Sequence, residues 1–204
     1  MDTNYIFYDE HGTLLNYEWT EREEQLIVEQ IIHEDCIVLE LGARYGTVSC
    51  RINRRLKNRS NQVSVEPDPT IWDTLEKNRS LNNCEFYVLK GAVSSSPLNF
   101  IKSNNPYASS TEKVIDGSVN CITVKELEKC CNLKFNTLVA DCEGFLEQFF
   151  EENPHMYEQL YLIFFEKDYP DVCDYNKITN NLKKHGFTCI IPGFHEVWIN
   201  YNKI

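Results

Sequence analysis

The stretch Val38-Leu39-Glu40-Leu41-Gly42-Ala43-Arg44-Tyr45-Gly46 decides the fold. A short apolar run, long enough for one buried strand, ends in an acid and two glycines, and Val48, Ile52 and Leu56 then recur at helical spacing. A strand that turns through glycine into a helix opens a crossover between parallel strands. Glycine in such a turn permits a tight bend and close approach of the backbone to a ligand. The GxxxG spacing differs from the GxGxxG whose second glycine admits a pyrophosphate, and Arg44 and Tyr45 fill the interval. A ligand without a diphosphate is expected.

The alternation continues downstream. Residues 62–66 read as a second strand, and the helix after it is expected to open with Asp68 as N-cap and Pro69 at its first position, with Ile71, Trp72 and Leu75 on one face. A third strand is expected over 85–89. Residues 94–120, rich in Ser, Asn and Pro, read as an insertion or lid in which only 98–101 and 114–115 look extended. Thr123-Val124-Lys125-Glu126 has the spacing of a capping box, with Leu127 and Cys130 or Cys131 facing inward. Strand 137–141, helix 145–151, strand 161–166 and a helix that carries Ile178 and Leu182 and stops at Gly186 follow in order. Residues 188–191 and 195–201, split by Pro192-Gly193, predict an antiparallel pair at the sheet edge.

Upstream, 5–9 and 13–17 flank the turn Glu10-His11-Gly12 and predict a small hairpin. Thr20-Glu21-Arg22-Glu23 again has capping-box spacing, and Leu26, Ile27, Gln30 and Ile31 predict the inward face of the next helix. The chain therefore reads as one domain over 1–204, with a hairpin and helix at 1–34 and an insertion or lid at 94–120. The class is α/β, a doubly wound, mostly parallel sheet with helices on both faces and an antiparallel C-terminal edge pair.

With 204 residues, 42% of them hydrophobic, the chain can bury a full core. It holds no run of about 18 apolar residues, and Met1-Asp2-Thr3-Asn4 lacks the basic-then-apolar profile of a secretion signal. A soluble, cytoplasmic protein with no membrane span is expected. Nine cysteines, odd in number and without CxxC spacing, read as reduced, mostly buried side chains, Cys142 and Cys189 among them. A net charge of -11 opposes any surface that must follow a phosphate backbone, so nucleic acid is not an expected partner. The basic cluster Arg51, Arg54, Arg55, Lys57 and Arg59 reads as a solvated helix face.

In open α/β sheets ligands bind beyond the carboxyl ends of the strands. Four predicted strand ends carry acids: Glu40 with Gly42 and Gly46, Glu66, Asp141 with Glu143, and Glu166. Glu66 falls 20 residues after Gly46, where a carboxylate can accept both hydroxyl hydrogens of a ribose. A nucleoside is the ligand these features favour. Asp68 reads as an N-cap or a further contact to it.

Taken in order over residues 36–167, these features resemble the FkbM-type methyltransferases. Val38-Leu39-Glu40-Leu41-Gly42-Ala43 with Gly46 looks like that family's first motif, and Val65-Glu66-Pro67-Asp68-Pro69 with Asn78 and Asn82 like its second. Gly91-Ala92-Val93-Ser94 is similar to the segment after the third strand. Asp141-Cys142-Glu143-Gly144 matches its Asp-x-Glu-Gly, and Phe165-Glu166 resembles its fifth-strand ending.

The resemblance implies a Rossmann-like class I methyltransferase fold. It implies S-adenosylmethionine as cofactor, held by Glu40, Gly42, Ala43, Arg44, Gly46, Glu66, Pro67, Gly91, Ala92 and Asp141. It also implies O-methylation of a sugar or glycoconjugate. The sequence departs from the family at Glu40, usually Asp, at Arg44, usually Asn, at Val139, usually Lys, and at Leu146, usually an acid. The missing lysine leaves the fourth strand end more acidic, and no role of that lysine carries over.

An alcohol accepts a methyl group only if its proton is removed or its oxygen is held by a cation. Asp141, Glu143 and Glu166 are the expected catalytic residues. Asp141 or Glu143 could act as general base, or the three could share Mg²⁺ or Mn²⁺, whose charge would relieve their mutual repulsion. His195 reads as a structural histidine or, where the sheet edge could meet the cleft, as a ligand or base, and Ser109-Ser110-Thr111 as a polar loop that could line the site. An N-methyltransferase and a catalytically silent cofactor-binding module are the alternatives.

Overall fold

In the computed structural model, residues 5–102 and 109–203 are described. The N-terminal segment makes only a hairpin-like bend, with one bridge from Tyr8 to Leu14. Helix α1 (Arg22–Ile31) crosses to β1 (Val38–Leu41), α2 (Thr47–Arg55), β2 (Gln62–Glu66), α3 (Trp72–Leu81) and β3 (Tyr87–Lys90). Short strands β4 (Ala92–Val93), β5 (Leu98–Lys102), β6 (Ser109–Lys113) and β7 (Cys121–Ile122) follow. The chain then runs through α4 (Val124–Cys131), β8 (Thr137–Ala140), α5 (Leu146–Glu152), α6 (Met156–Gln159), β9 (Leu162–Glu166) and α7 (Tyr175–Lys184) to β10 (Thr188–Ile191) and β11 (His195–Ile199).

Seven strands make one sheet in the order β10-β11-β9-β8-β1-β2-β3. All neighbours are parallel except β11, which runs antiparallel to both β9 and β10. The predicted edge pair therefore forms, with β11 slotted inside and β10 outermost. From β1 the chain winds outward to β2 and β3, and from β8 it winds the other way to β9. That reversal opens a crevice at the carboxyl ends of β1 and β8, where ligands of such sheets bind.

Strand alternation sorts the core onto two faces. Val38, Val139, Leu162, Phe164 and Val197 pack against Val28 and Ile32 of the α1 segment and Ile52 and Leu56 of the α2 segment. Leu39, Leu41, Leu138, Ala140, Ile163 and Phe165 point the opposite way, onto Leu127, Phe149, Ile178 and Leu182. No described helix is long and apolar enough to cross a membrane.

Several local expectations are corrected. Thr20 does not cap α1: the helix starts after Glu21, held at φ 51, while the Thr20 hydroxyl donates back to the Asn16 carbonyl. Ile27 and Ile31 pack inward as expected, but Leu26 and Gln30 are exposed, and the buried stripe of α1 carries Glu24, Gln25 and Val28. Asp68 does not cap α3, whose first turn begins three residues beyond Pro69 with no side-chain cap; its carboxylate accepts instead from Thr70. The Thr123 capping box forms as expected, and of the two cysteines behind it Cys131 packs inward.

The basic cluster is not simply solvated. Arg51 and Arg54 lie over the Tyr5 ring at 4.4 and 3.9 Å, and Arg55 donates to the Ile32 carbonyl, so the cluster ties the N-terminal segment and α1 to α2. Asn78 and Asn82 do the same from α3, each bonding both the backbone N–H and carbonyl of Tyr8 or Ile6. All nine cysteines are free, and four are fully buried.

Within 94–120, β5 and β6 pair as an antiparallel hairpin, while 114–115, expected to be extended, lies outside any strand. The parallel pair of β4 with β7 holds the two ends of this insertion together.

Candidate active site

At the crevice, the carboxyl ends of β1, β2 and β8 and the short strand β4 enclose a cavity lined by Leu41, Gly42, Arg44, Val65, Glu66, Pro67, Ala92, Val93, Asp141, Cys142, Glu143 and Phe145. Glu21 closes it from the α1 side, and Ser110 and Thr111 from the insertion. Ser110 and Thr111 thus line the site as the polar cluster allowed.

The wall nearest β2 is built around Glu66. Its carboxylate is 98% buried and held by two backbone donors, Arg44 N–H at 2.8 Å and Asp68 N–H at 2.7 Å. Burial pushes Glu66 up to about 7 against the pull of those two amides. Each carboxylate oxygen keeps a lone pair for a second donor. Arg44 itself, at φ 42, turns its side chain onto Asp68 at 3.2 Å and stacks on the Tyr45 ring.

Gly42 forms the floor. At φ 88, a Cβ there would stand 1.7 Å from the Asp141 carbonyl oxygen, so only glycine lets β1 and β8 come this close. The amides of Gly42 and Ala43 both donate to the Val65 carbonyl. Those two donors are thus spent on β2.

The far end is acidic. Burial, then the charges of Glu166, Glu24, Glu21 and Glu143, hold Asp141 well above the usual carboxylate range. Glu143, at φ 52, is raised to about 7 by burial and by Asp168. Glu21, whose carboxylate accepts from the Thr47 hydroxyl, is also pushed well up. Among the described residues, three of the five non-glycine residues with positive φ, namely Glu21, Arg44 and Glu143, line this one cavity. Backbone conformations of that kind concentrate at sites whose geometry is fixed for a ligand.

Of the residues expected to hold cofactor, Gly42, Arg44, Glu66, Pro67, Ala92 and Asp141 line the cavity, and Glu40, Ala43, Gly46 and Gly91 do not. Glu40 points to the α2 face, where it is 1% exposed and accepts from Gln62 and Ser64. Gly46 precedes the first turn of α2, and Gly91 lies against the Asn120 backbone.

The three acids expected to act together separate into two groups. Asp141 and Glu143 stand with Asp168. Glu166 turns to His195, its cross-strand partner on β11, and to Glu24 of α1. Sequence reading missed Glu21, Glu24 and Asp168. The signal available for Asp168 was its place two residues past a strand end. Glu21 falls inside the expected capping box, and Glu24 lies outside the expected inward face of Leu26, Ile27, Gln30 and Ile31.

A second cleft, lined by Asp9, Leu14, Asn16, Trp19 and Thr20 of the N-terminal segment, opens onto Glu21, Glu24, Asp141, Glu143 and Glu166. Glu21, Asp141 and Glu143 therefore form a partition with the first cavity on one side and an open groove on the other.

No protein-family model matches the chain, and no curated protein matches its sequence. Solved structures match its fold. A precorrin-6y C5,15-methyltransferase from Geobacter metallireducens superposes with TM-score 0.53 at 12% identity, over 91% of this chain and 93% of that one. An rRNA methylase from Streptococcus thermophilus does so with TM-score 0.52 at 9% identity, over 87% and 94%. A Streptococcus pneumoniae protein assigned as a tRNA (m1A22) methyltransferase, solved in complex with S-adenosyl-L-methionine, gives TM-score 0.51 at 11% identity, over 87% and 70%. At these identities the likeness shows the fold, the Rossmann-like fold of class I methyltransferases.

Proposed function

We propose that the chain is an S-adenosylmethionine-dependent methyltransferase that carries a methyl group to a hydroxyl of a sugar or glycan. The observation that carries this reading is one cavity with a buried carboxylate at its β2 end, a glycine floor, and two half-buried carboxylates at its β8 end that also face an open groove.

The residues fit the cofactor. Glu66, fixed by two amides, has the free lone pairs a ribose needs. Val65, Pro67, Ala92, Val93 and Phe145 offer an apolar surface for a flat base. Gly42 leaves room for a thin amino-acid chain, and the acids at the far end suit a sulfonium cation. When bound, this cofactor supplies an electrophilic methyl group. Glu143, raised to about 7, is poised to take the acceptor's hydroxyl proton near neutral pH as the new O–C bond forms. Asp141 orients the acceptor from the partition.

The sugar acceptor is supported by the resemblance to FkbM-type enzymes. It also suits the groove, since Glu21, Glu24, Glu143 and Glu166 would repel a phosphate backbone but not a neutral polyol. The names of two of the similar structures favour a second reading, methylation of RNA.

Calorimetry with S-adenosylmethionine and with NAD tests the cofactor, and transfer of labelled methyl to a panel of oligosaccharides and a tRNA tests the acceptor. Binding of the first ligand and label in carbohydrate is the expected result. NAD binding with no response to S-adenosylmethionine would overturn the reading, and label in tRNA alone would replace its acceptor.

A further inference from the structure

Glu24, Glu166 and His195 meet where α1 crosses the sheet. Register makes His195 the direct partner of Glu166 on the antiparallel pair β9 and β11. Both project on the face that packs against α1, as Leu162, Phe164 and Val197 do, and there they meet Glu24 one turn before Val28. One ring nitrogen, His195 Nε2, lies 3.0 Å from Glu166 Oε2 and 3.3 Å from Glu24 Oε1, while Nδ1 reaches the exposed Glu23 at 3.1 Å.

This arrangement is poorly satisfied by protein alone. A single N–H at Nε2 cannot be well aligned with two carboxylates at once, so at least one of the two bonds is bent and weak. The Glu24 side chain is 92% buried, and its second oxygen, Oε2, has no hydrogen-bond partner. Among the described residues no lysine or arginine pairs with Glu24 or Glu166. A buried carboxylate oxygen that lacks a donor and stands beside a second carboxylate is a strong acceptor.

We propose that Glu24, Glu166 and His195 bind a divalent transition-metal cation of the Mn²⁺ or Zn²⁺ class. Their ligand atoms already lie within 4.8 Å of one another, and an ion about 2.0–2.2 Å from each needs only a small contraction. One imidazole with two carboxylates is a mixed nitrogen and oxygen set, which suits these ions better than Mg²⁺ or Ca²⁺. The site differs from the Asp141, Glu143 and Asp168 group, which offers oxygen alone. Glu24 and Glu166 also line the open groove, so coordination positions left to water face the acceptor side of the partition. Any part the ion plays toward an acceptor hydroxyl rests on the methyltransferase reading; its binding does not.

The test is titration of chelator-treated full-length protein with Mn²⁺, followed by the electron paramagnetic resonance of the free ion. One equivalent should bind, and affinity should fall roughly 10- to 100-fold or more in Glu24→Gln and in His195→Gln but not in Asp168→Asn. Pulsed measurements on the wild-type complex should show coupling to an imidazole nitrogen, which needs no variant to fold. Absence of binding at millimolar Mn²⁺, or a bound ion without nitrogen coupling that Asp168→Asn abolishes, would overturn the proposal. Nitrogen-coupled binding in a protein that ignores S-adenosylmethionine would leave the metal site standing and the methyl-transfer reading refuted.

Discussion

The α-carbon of Gly42 rests against the backbone carbonyl of Asp141, so close that a side-chain methyl at Gly42 would stand 1.7 Å from that oxygen. The turn that should receive the cofactor and the residue that should meet the acceptor are thus in direct backbone contact. Gly42→Ala should destabilise the fold by about 1–2 kcal/mol for its left-handed conformation alone, and more through displacement of Asp141. A thermal melt and a cofactor titration check this, and both should worsen together.

Glu66→Ala removes the acceptor of two backbone amides as well as the proposed ribose contact. Charge-assisted hydrogen bonds of this kind contribute about 1.5–3 kcal/mol, so S-adenosylmethionine affinity should fall roughly ten- to hundredfold. Calorimetry reads the loss directly, and Glu66→Gln, which keeps one acceptor oxygen, should fall between.

Glu143→Gln should lower kcat by about 10²–10⁴, a far larger effect than the one on cofactor affinity. Because the carboxyl is raised to about 7 and must be deprotonated to act, wild-type kcat should climb as pH passes through about 7. The variant should lose that rising limb. Equal pH profiles for the two proteins would remove Glu143 from the role of base.

Glu40 gives a stability prediction independent of activity. Burial raises it from 4.5 to about 7, against hydrogen bonds from Ser64 and Gln62. The folded state therefore holds a proton that the unfolded chain has lost. Its stabilising contribution is full below about pH 4.5 and disappears as pH rises through about 7. Glu40→Gln should flatten urea-derived stability between pH 5 and 8, measured on the ligand-free protein.

Much of this architecture was legible because its cues are local. The β1 strand, the Gly42 turn and the i, i+4 spacing of Val48 and Ile52 lie within 15 residues and announce a crossover. The strand-end acids Glu66 and Asp141 could be placed from the same periodicity. The faces of α1 could not. Its buried stripe carries Glu24 and Gln25, and a carboxylate turned to the sheet reads as solvent-facing to any hydrophobic pattern.

What makes Glu24 an inward residue is His195, 171 positions away on a strand that only the finished sheet brings alongside. Asp68 misled for a related reason. Its side chain suits an N-cap, but in the turn before α3 one carboxylate oxygen accepts from Thr70 and the other pairs with Arg44 of a neighbouring loop. Glu166 was expected beside Asp141 from strand ends alone, yet the antiparallel insertion of β11 gave it a nearer partner.

The clasp of β4 on β7 has an evolutionary corollary. Ala92 and Ser94 bond across to the carbonyls of Asn120 and Ile122, so the stem of the insertion is tied off before the hairpin begins. Beyond that knot, lengthening the excursion costs only about 0.6 kcal/mol for each doubling. Ser110 and Thr111 could then be exchanged for another lineage's rim without disturbing the sheet that carries Glu66 and Asp141, and a grafted hairpin would reshape the mouth of the cavity while its floor stays inherited.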